Sequence, residues 1–237
     1  MKFSPPLLEA QFDKRYKRFF ADVTTTNGDT LTVHCPNTGS MKNCYREGAP
    51  CWYSLSDNPK RKLPGTLEIT TSPLGCRTGV NTHRANQLVE EAIQQGVVKE
   101  LQGYHEIRRE VRYGSENSRI DLLLNDADNT CYIEVKNVTM EMTGLQMQFP
   151  DAVTSRGTKH LRELMEVIRQ GHRAVLFFCV QHERATRVSP AWDIDPHYCA
   201  TLQDAIKNGL EVLAYGCKVT PREIAINRPI RFIPEPF

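Results

Sequence analysis

Asp121, Glu134 and Lys136 are the residues whose types and spacing point most directly to chemistry. Ser118-Arg119-Ile120-Asp121-Leu122-Leu123-Leu124 is followed by the polar stretch 125–130 and then by Cys131-Tyr132-Ile133-Glu134-Val135-Lys136. Two apolar-rich segments around a turn of Asn and Asp read as an antiparallel hairpin. If Leu124 pairs with Cys131, the register puts Asp121 opposite Glu134. Directly opposed Cβ atoms lie about 4.5–5.5 Å apart, where like charges destabilise a sheet. A divalent cation relieves that repulsion, and hard oxygen ligands suit Mg²⁺ or Mn²⁺. Glu134 and Lys136 are two apart and share a face, while Ile133 and Val135 point to the core. Two carboxylates holding a metal that polarises a phosphate and activates water, with a lysine for the water or the developing charge, is phosphodiester chemistry. The same register sets Arg119 against Lys136, which is unfavourable unless Arg119 turns outward or binds phosphate. Glu-Val-Lys alone is common on an exposed strand. Its weight here comes from Asp121 in register, a preceding amphipathic helix and a following αβ unit.

Elements on either side must position this hairpin. Ala85, Leu88, Val89, Ala92 and Ile93 form a helical stripe, begun by Asn81-Thr82 and ended by Gly96. Strands are expected at about 106–113, 119–124 and 131–138. A helix over about 155–170, capped by Asp151 or Ser155, stops at Gly171. Residues 174–180 (AVLFFCV) are wholly apolar, as in a central buried strand. A helix near 197–208 and a strand at 210–215 finish the sheet. This αβββαβ order gives one sheet with helices packed on it. The segment 149–157 leads into a basic helix start with Arg156, Lys159 and His160, and such an end can hold a phosphate. His160 is more naturally a core or surface histidine than an acid–base group.

Residues 10–78 read instead as short strands: 16–23, a turn at Asn27-Gly28, 30–34, 50–55 and 66–70. A small barrel or sandwich suits them, because closure removes sheet edges. Residues 1–80 hold 11 Lys and Arg against 7 Asp and Glu, and the remainder 19 against 21, so the basic surplus is N-terminal. Lys14, Arg15, Lys17, Arg18, Lys60, Arg61 and Lys62 can track a phosphate backbone, while Phe19 and Trp52 are more naturally core. The Pro36-Asn37-Thr38-Gly39 turn is unusually polar, with no chemistry evident beyond turn formation.

The chain of 237 residues is 40% apolar, enough for a packed core and too much for disorder. No apolar run is long enough to span a membrane, and the start lacks a secretory pattern, so a cytoplasmic protein is expected. The eight cysteines form no Cys-x-x-Cys pair and read as reduced thiols.

Several stretches carry a family resemblance: Phe3-Ser4-Pro5-Pro6-Leu7, Arg15-Tyr16-Lys17-Arg18-Phe19, His34-Cys35-Pro36-Asn37-Thr38-Gly39 and Val80-Asn81-Thr82. Ser118 to Asp121, Tyr132 to Lys136, and Phe149 to Thr154 with Arg156-Gly157 and His160-Leu161 extend it nearly end to end. The chain resembles the bacterial sugar fermentation stimulation protein A family, and its second half the PD-(D/E)XK nuclease-like core. The resemblance implies an α+β protein with an N-terminal OB-type β-barrel (1–80) and a nuclease-like mixed-sheet domain (81–237). It also implies DNA binding of low sequence specificity and a link to regulation of maltose utilisation. In such cores a glutamate on the first helix often completes the acid cluster. Glu90 and Glu91 flank the apolar stripe on opposite sides, so periodicity does not choose between them. The family's Glu-Ala-Ile pattern matches Glu91-Ala92-Ile93 and selects Glu91.

The expected site is therefore Asp121 and Glu134 on Mg²⁺ or Mn²⁺, with Lys136 and Glu91. DNA, single-stranded or structured, would be held by the barrel cations together with Arg119 and Arg156. The alternative is a DNA-binding regulator whose nuclease-like site is silent. A sugar hydrolase using the two carboxylates fits less well beside a lysine and a basic barrel.

Overall fold

The computed structural model describes residues 1–127 and 129–235, so Asp128 of the predicted turn lies outside the described residues. Strands β1 (Leu8–Tyr16), β2 (Phe20–Thr25), β3 (Thr30–His34), β4 (Pro50–Leu55), β5 (Gly65–Thr71) and β6 (Arg77–Gly79) form the first sheet. Their order is β3-β2-β1-β4-β5-β6, and β3 pairs with β5 at His34–Thr66, which closes five strands into a barrel. The strand expected over 16–23 is two strands. Lys17 and Arg18 take positive φ (47° and 62°) and turn the chain between them. The cause is local backbone geometry, which the aromatic and basic pattern of that stretch hides.

The larger sheet is built from β7 (Glu106–Tyr113), β8 (Ser118–Asn125) and β9 (Thr130–Val138). Two short strands, β10 (Met140–Met142) and β11 (Gln146–Phe149), then lead away to a separate sheet. The chain returns through β12 (Arg173–Val180), β13 (Arg187–Pro190), β14 (Glu211–Thr220), β15 (Glu223–Pro229) and β16 (Arg231–Phe232). The large sheet runs β15-β14-β12-β9-β8-β7, and the small one β10-β11-β13-β16. β12 is parallel to both neighbours, and all but its first residue are buried, as its unbroken apolar run requires. The sheet does not finish at residue 215: β14 runs on to Thr220 and β15 adds an antiparallel edge.

Helix α1 (Ala85–Gln94) covers one face and packs its predicted stripe on Leu122, Leu124, Ile133 and Val135. Asn81 caps the short turn before it, its side chain accepting from the His83 N–H. That same core includes Leu7, Trp52 and Ile69 from the barrel end, so apolar packing is continuous between the two halves. Helices α2 (Ser155–Arg169) and α3 (Pro196–Lys207) cover the other face over Ile120, Leu123, Leu176 and Phe178. The cap of α2 is Thr154, whose Oγ1 accepts from Gly157 N–H at 3.0 Å, and not Asp151 or Ser155. Asp151 is engaged elsewhere, with the barrel loop. All eight cysteines are buried and free. No helix among the described residues is long and apolar enough to cross a membrane, which says nothing of membrane β-barrels.

Candidate metal and nucleic-acid site

The β8–β9 hairpin has the expected register: Leu124 pairs with Cys131, Leu123 with Tyr132 and Leu122 with Ile133. The ladder ends there. The Asp121 side chain continues in its place, with Oδ2 accepting the Val135 N–H at 2.7 Å. On the other side, β7 pairs Arg109 with Leu122 and Val111 with Ile120, skipping Glu110, which has φ 53°. Ile120 and Leu122 would share a face in a regular strand, yet they join the cores on opposite sides of the sheet. The strand therefore turns over at Asp121, opening the sheet where the acids meet. The clash foreseen between Arg119 and Lys136 does not arise, because β8 has left β9 by then. Arg119 is exposed and pairs with Arg112 on β7.

Glu134 is 2% exposed. Its Oε1 accepts from Lys136 Nζ at 2.6 Å and contacts His160 Nδ1 from α2. Its Oε2 is buried without a hydrogen-bond partner among the described residues. Burial pushes the Glu134 carboxyl up, but Lys136 and His160 outweigh it and hold the group below its ordinary range. Asp121 goes the other way. Burial and then the Glu134 charge raise it to about 6, against the opposing pull of the Val135 N–H, Lys136 and Asn86. An acid held up by its neighbour and an unsatisfied buried carboxylate oxygen are what a hard cation would relieve, so these residues fit a divalent ion.

Glu91 is not brought to this site. Its carboxylate pairs with the Met1 amine, on the side of α1 that faces β15. Glu90 pairs with Arg109. The helix residue at the acids is Asn86, whose Nδ2 donates to Asp121 Oδ1 at 2.9 Å. Asn86 lies just inside the helix start, a turn ahead of both glutamates, where the stripe gives no sign of it. Sequence reasoning also passed over Tyr113 and Tyr198. Their buried hydroxyls lack partners among the described residues, and burial, then Glu134, keeps both protonated.

Beside the acids is a cavity of about 280 Å³ lined by Glu110, Ser118, Arg119, Arg156, Lys159 and His160. Arg156 Nε donates to His160 Nε2 at 3.3 Å, which leaves the proton of a neutral imidazole on Nδ1, directed at Glu134. Arg156 and Lys159 from α2 thus converge with Arg119 from β8 on one opening.

The barrel cations divide. Lys17 and Arg18 are exposed at the β1–β2 turn. Lys14 is exposed and lies 3.6 Å from Asp22. Lys60, Arg61 and Lys62 are exposed, and Arg61 lines a cavity with His34 and Arg84. Arg15 is used internally: its guanidinium donates to the carbonyls of Asn37, Gly39 and Ser40 at 2.7, 2.9 and 3.1 Å. Trp52 is core, as expected, whereas Phe19 is exposed.

A closed OB-type barrel joined to a mixed sheet that opens around paired acids and a lysine defines an OB-barrel protein whose second half is a mixed α/β sheet. Residues 14–79 match the model described as the SfsA N-terminal OB domain, and residues 83–223 the Sugar fermentation stimulation protein RE domain. The chain belongs to the sugar fermentation stimulation protein family. It is 53% identical to the Sugar fermentation stimulation protein homolog of Saccharophagus degradans, over 98% of this chain and 100% of that one. It is 56% identical to the homolog of Teredinibacter turnerae, over 94% and 98%. In fold it matches the structure of Pyrococcus furiosus SfsA in complex with Ca²⁺, with a TM-score of 0.86 at 24% identity over 98% of each chain.

Proposed function

We propose that this protein binds DNA with little sequence preference and carries a phosphodiesterase site dependent on Mg²⁺ or Mn²⁺. The observation that carries the reading is the meeting of Asp121, Glu134 and Lys136 beside a cavity lined by Arg119, Arg156 and Lys159. Acids without cations would repel a phosphate, and cations without acids would bind it inertly. Asp121 and Glu134 would hold the ion, with Glu134 Oε2 free to do so. When bound, a divalent ion polarises the phosphate and lowers the pKa of water. Lys136 Nζ stands on Glu134, placed to orient a water or to offset charge developing on the phosphate. Arg119, Arg156 and Lys159 would hold the flanking phosphates. His160, donating from Nδ1, keeps Glu134 ionised and aimed. The Pyrococcus furiosus relative was solved with Ca²⁺, a hard cation of the kind these oxygens would take.

The barrel would contribute non-specific affinity through Lys14, Lys17, Arg18 and residues 60–62, acting in the cytoplasm on single-stranded or structured DNA. The family's name ties it to sugar fermentation, and binding DNA at genes of maltose use would supply that tie. A binding-only regulator is the second reading. It is favoured by the occupation of Glu134 Oε1 by both Lys136 and His160. Incubating labelled single-stranded, duplex and branched DNA with Mg²⁺ or Mn²⁺, beside Glu134→Gln, separates them. Cleavage lost in the variant supports the enzyme. Binding without cleavage in any metal leaves the regulator.

A further inference from the structure

A second cavity, of about 200 Å³, lies where the barrel meets the larger sheet. Asn37 and Gly39 of the polar barrel turn form one side, and Asn137, Gln148, Phe149 and Asp151 the other. The turn is a built wall. Arg15 gathers its carbonyls, Asn37 Oδ1 accepts the Gly39 N–H at 2.9 Å, and Asp151 Oδ2 accepts from Ser40 Oγ and the Met41 N–H at 3.3 Å each. A Cβ at residue 39 would fall 2.2 Å from Asp151 Oδ2, so a larger residue there would displace that carboxylate.

Two amides in the wall have fixed orientations and unused donors. The Gly39 N–H holds Asn37 Oδ1, so Nδ2 is the free end; Asn37 is 2% exposed, and Nδ2 has no partner among the described residues. Asn137 Oδ1 accepts Gln181 Nε2 at 2.6 Å, and that nitrogen also donates to Asn81 O, which fixes both amides. Asn137 Nδ2 is likewise without a partner among the described residues. Buried donors left unpaired are costly, so the cavity favours a guest with acceptors. The Asp151 carboxylate on the same wall disfavours an anion and offers an acceptor of its own. Phe149, braced against Phe178 and Tyr198 at 5.7 and 5.6 Å, adds an aromatic wall.

We propose that this cavity receives one unstacked nucleobase of the strand held at the Asp121–Glu134 site, and that guanine is the base it fits. Guanine presents acceptors O6 and N7 to the two amides and donors N1–H and N2–H to the carboxylate. Asn137 directly follows Lys136 on β9, so the cavity adjoins the strand that carries the acid cluster. The proposal rests on the nucleic-acid reading above and adds a base preference to it.

The test is fluorescence anisotropy of the full chain in Ca²⁺, using single strands about 12 nucleotides long. One strand is all thymine, one carries a central guanine, and one carries hypoxanthine, which lacks the N2 amine. The guanine strand should bind roughly tenfold tighter than all-thymine, with hypoxanthine between them. Asn37→Asp and Asn137→Asp keep the oxygen bonds to Gly39 and Gln181 and remove the donors. Each should abolish the guanine preference, bringing the ratio of guanine-strand to thymine-strand affinity to about one whatever the added charge does to both affinities. Asn137→Ala should do the same without adding charge. Equal affinity for all three strands overturns the base pocket and leaves DNA binding standing. So does a preference that survives the variants. Failure to bind any strand overturns both readings.

Discussion

Glu134 with His160 and Glu141 with His182 are two buried acid–imidazole pairs built on the same plan. Each glutamate is 2% exposed and keeps an Oε2 without a partner among the described residues. In each, one ring nitrogen accepts an N–H, from Arg156 Nε in the first and the Arg184 backbone in the second, so the other nitrogen donates to the carboxylate. Burial pushes both carboxyls up, and their partners bring both below the ordinary range. The surroundings differ. Glu134 has Lys136 on the same oxygen, Asp121 raised to about 6 beside it, and a basic cavity next to it. Glu141 has Cys76, whose thiol burial pushes up; the ligand atoms of Cys76, Glu141 and His182 lie within 4.8 Å of one another. Burial and a shifted titration therefore mark both places, and only the first adds a second acid, a lysine and a cavity lined by cations, the features on which the proposed function rests.

The largest expected difference is in rate. Lys136→Met should lower DNA cleavage in Mn²⁺ by on the order of 10²–10³ while metal binding by calorimetry persists. Glu141→Gln should cleave at the wild-type rate, and an equal loss in both variants would erase the contrast. Stability should rank the pairs in the opposite order. His182→Ala strips Glu141 of its imidazole and should cost roughly 3 kcal/mol in urea unfolding. His160→Ala should cost less, since Lys136 stays on the same oxygen.

A pH series sharpens the comparison further. Asp121 has a folded pKa above its unfolded one, so between about pH 4 and 6 the folded state binds more protons and stability falls as pH rises. In metal-free protein, Asp121→Asn should recover on the order of 2–3 kcal/mol at pH 7 and little at pH 4, read as melting temperature. No Glu141 variant should reproduce that pattern. The smallest effect concerns the cations. Arg119→Ala and Lys159→Ala should each reduce the salt slope of duplex binding by about 0.9, and Arg184→Ala, near Cys76, should leave it unchanged.

Much of this was legible in the sequence for definite reasons. The β8–β9 register follows from a short polar turn and period-two alternation, and these predict the pairing of Leu124 with Cys131. α1 and β12 announce themselves by a helical stripe and an unbroken apolar run. The reversal at Asp121 was not legible, because it depends on Glu110 in a neighbouring strand. Selecting Glu91 from the pair Glu90 and Glu91 missed the helix residue at the acids, Asn86, because a pattern match records residue type and not which way a helix is rotated against its sheet. Arg15 looked like its cationic neighbours, and only the fold reveals that its guanidinium is spent on the turn at 37–40. His160 had no local signal, since its partner lies 26 residues earlier on another element.

The core that joins Leu7, Trp52 and Ile69 to α1 bears on how the chain can be divided. Sequence periodicity changes character at Asn81, and a boundary there looks natural on paper. A barrel ended at that point would present a tryptophan and an isoleucine to water, and the remainder would lose the lid over one end of its helix. The modules recognised separately by family models are therefore one unit in mechanical terms. Cutting the chain at Asn81 would therefore uncover apolar surface on both sides of the cut, since each half covers part of the other's core.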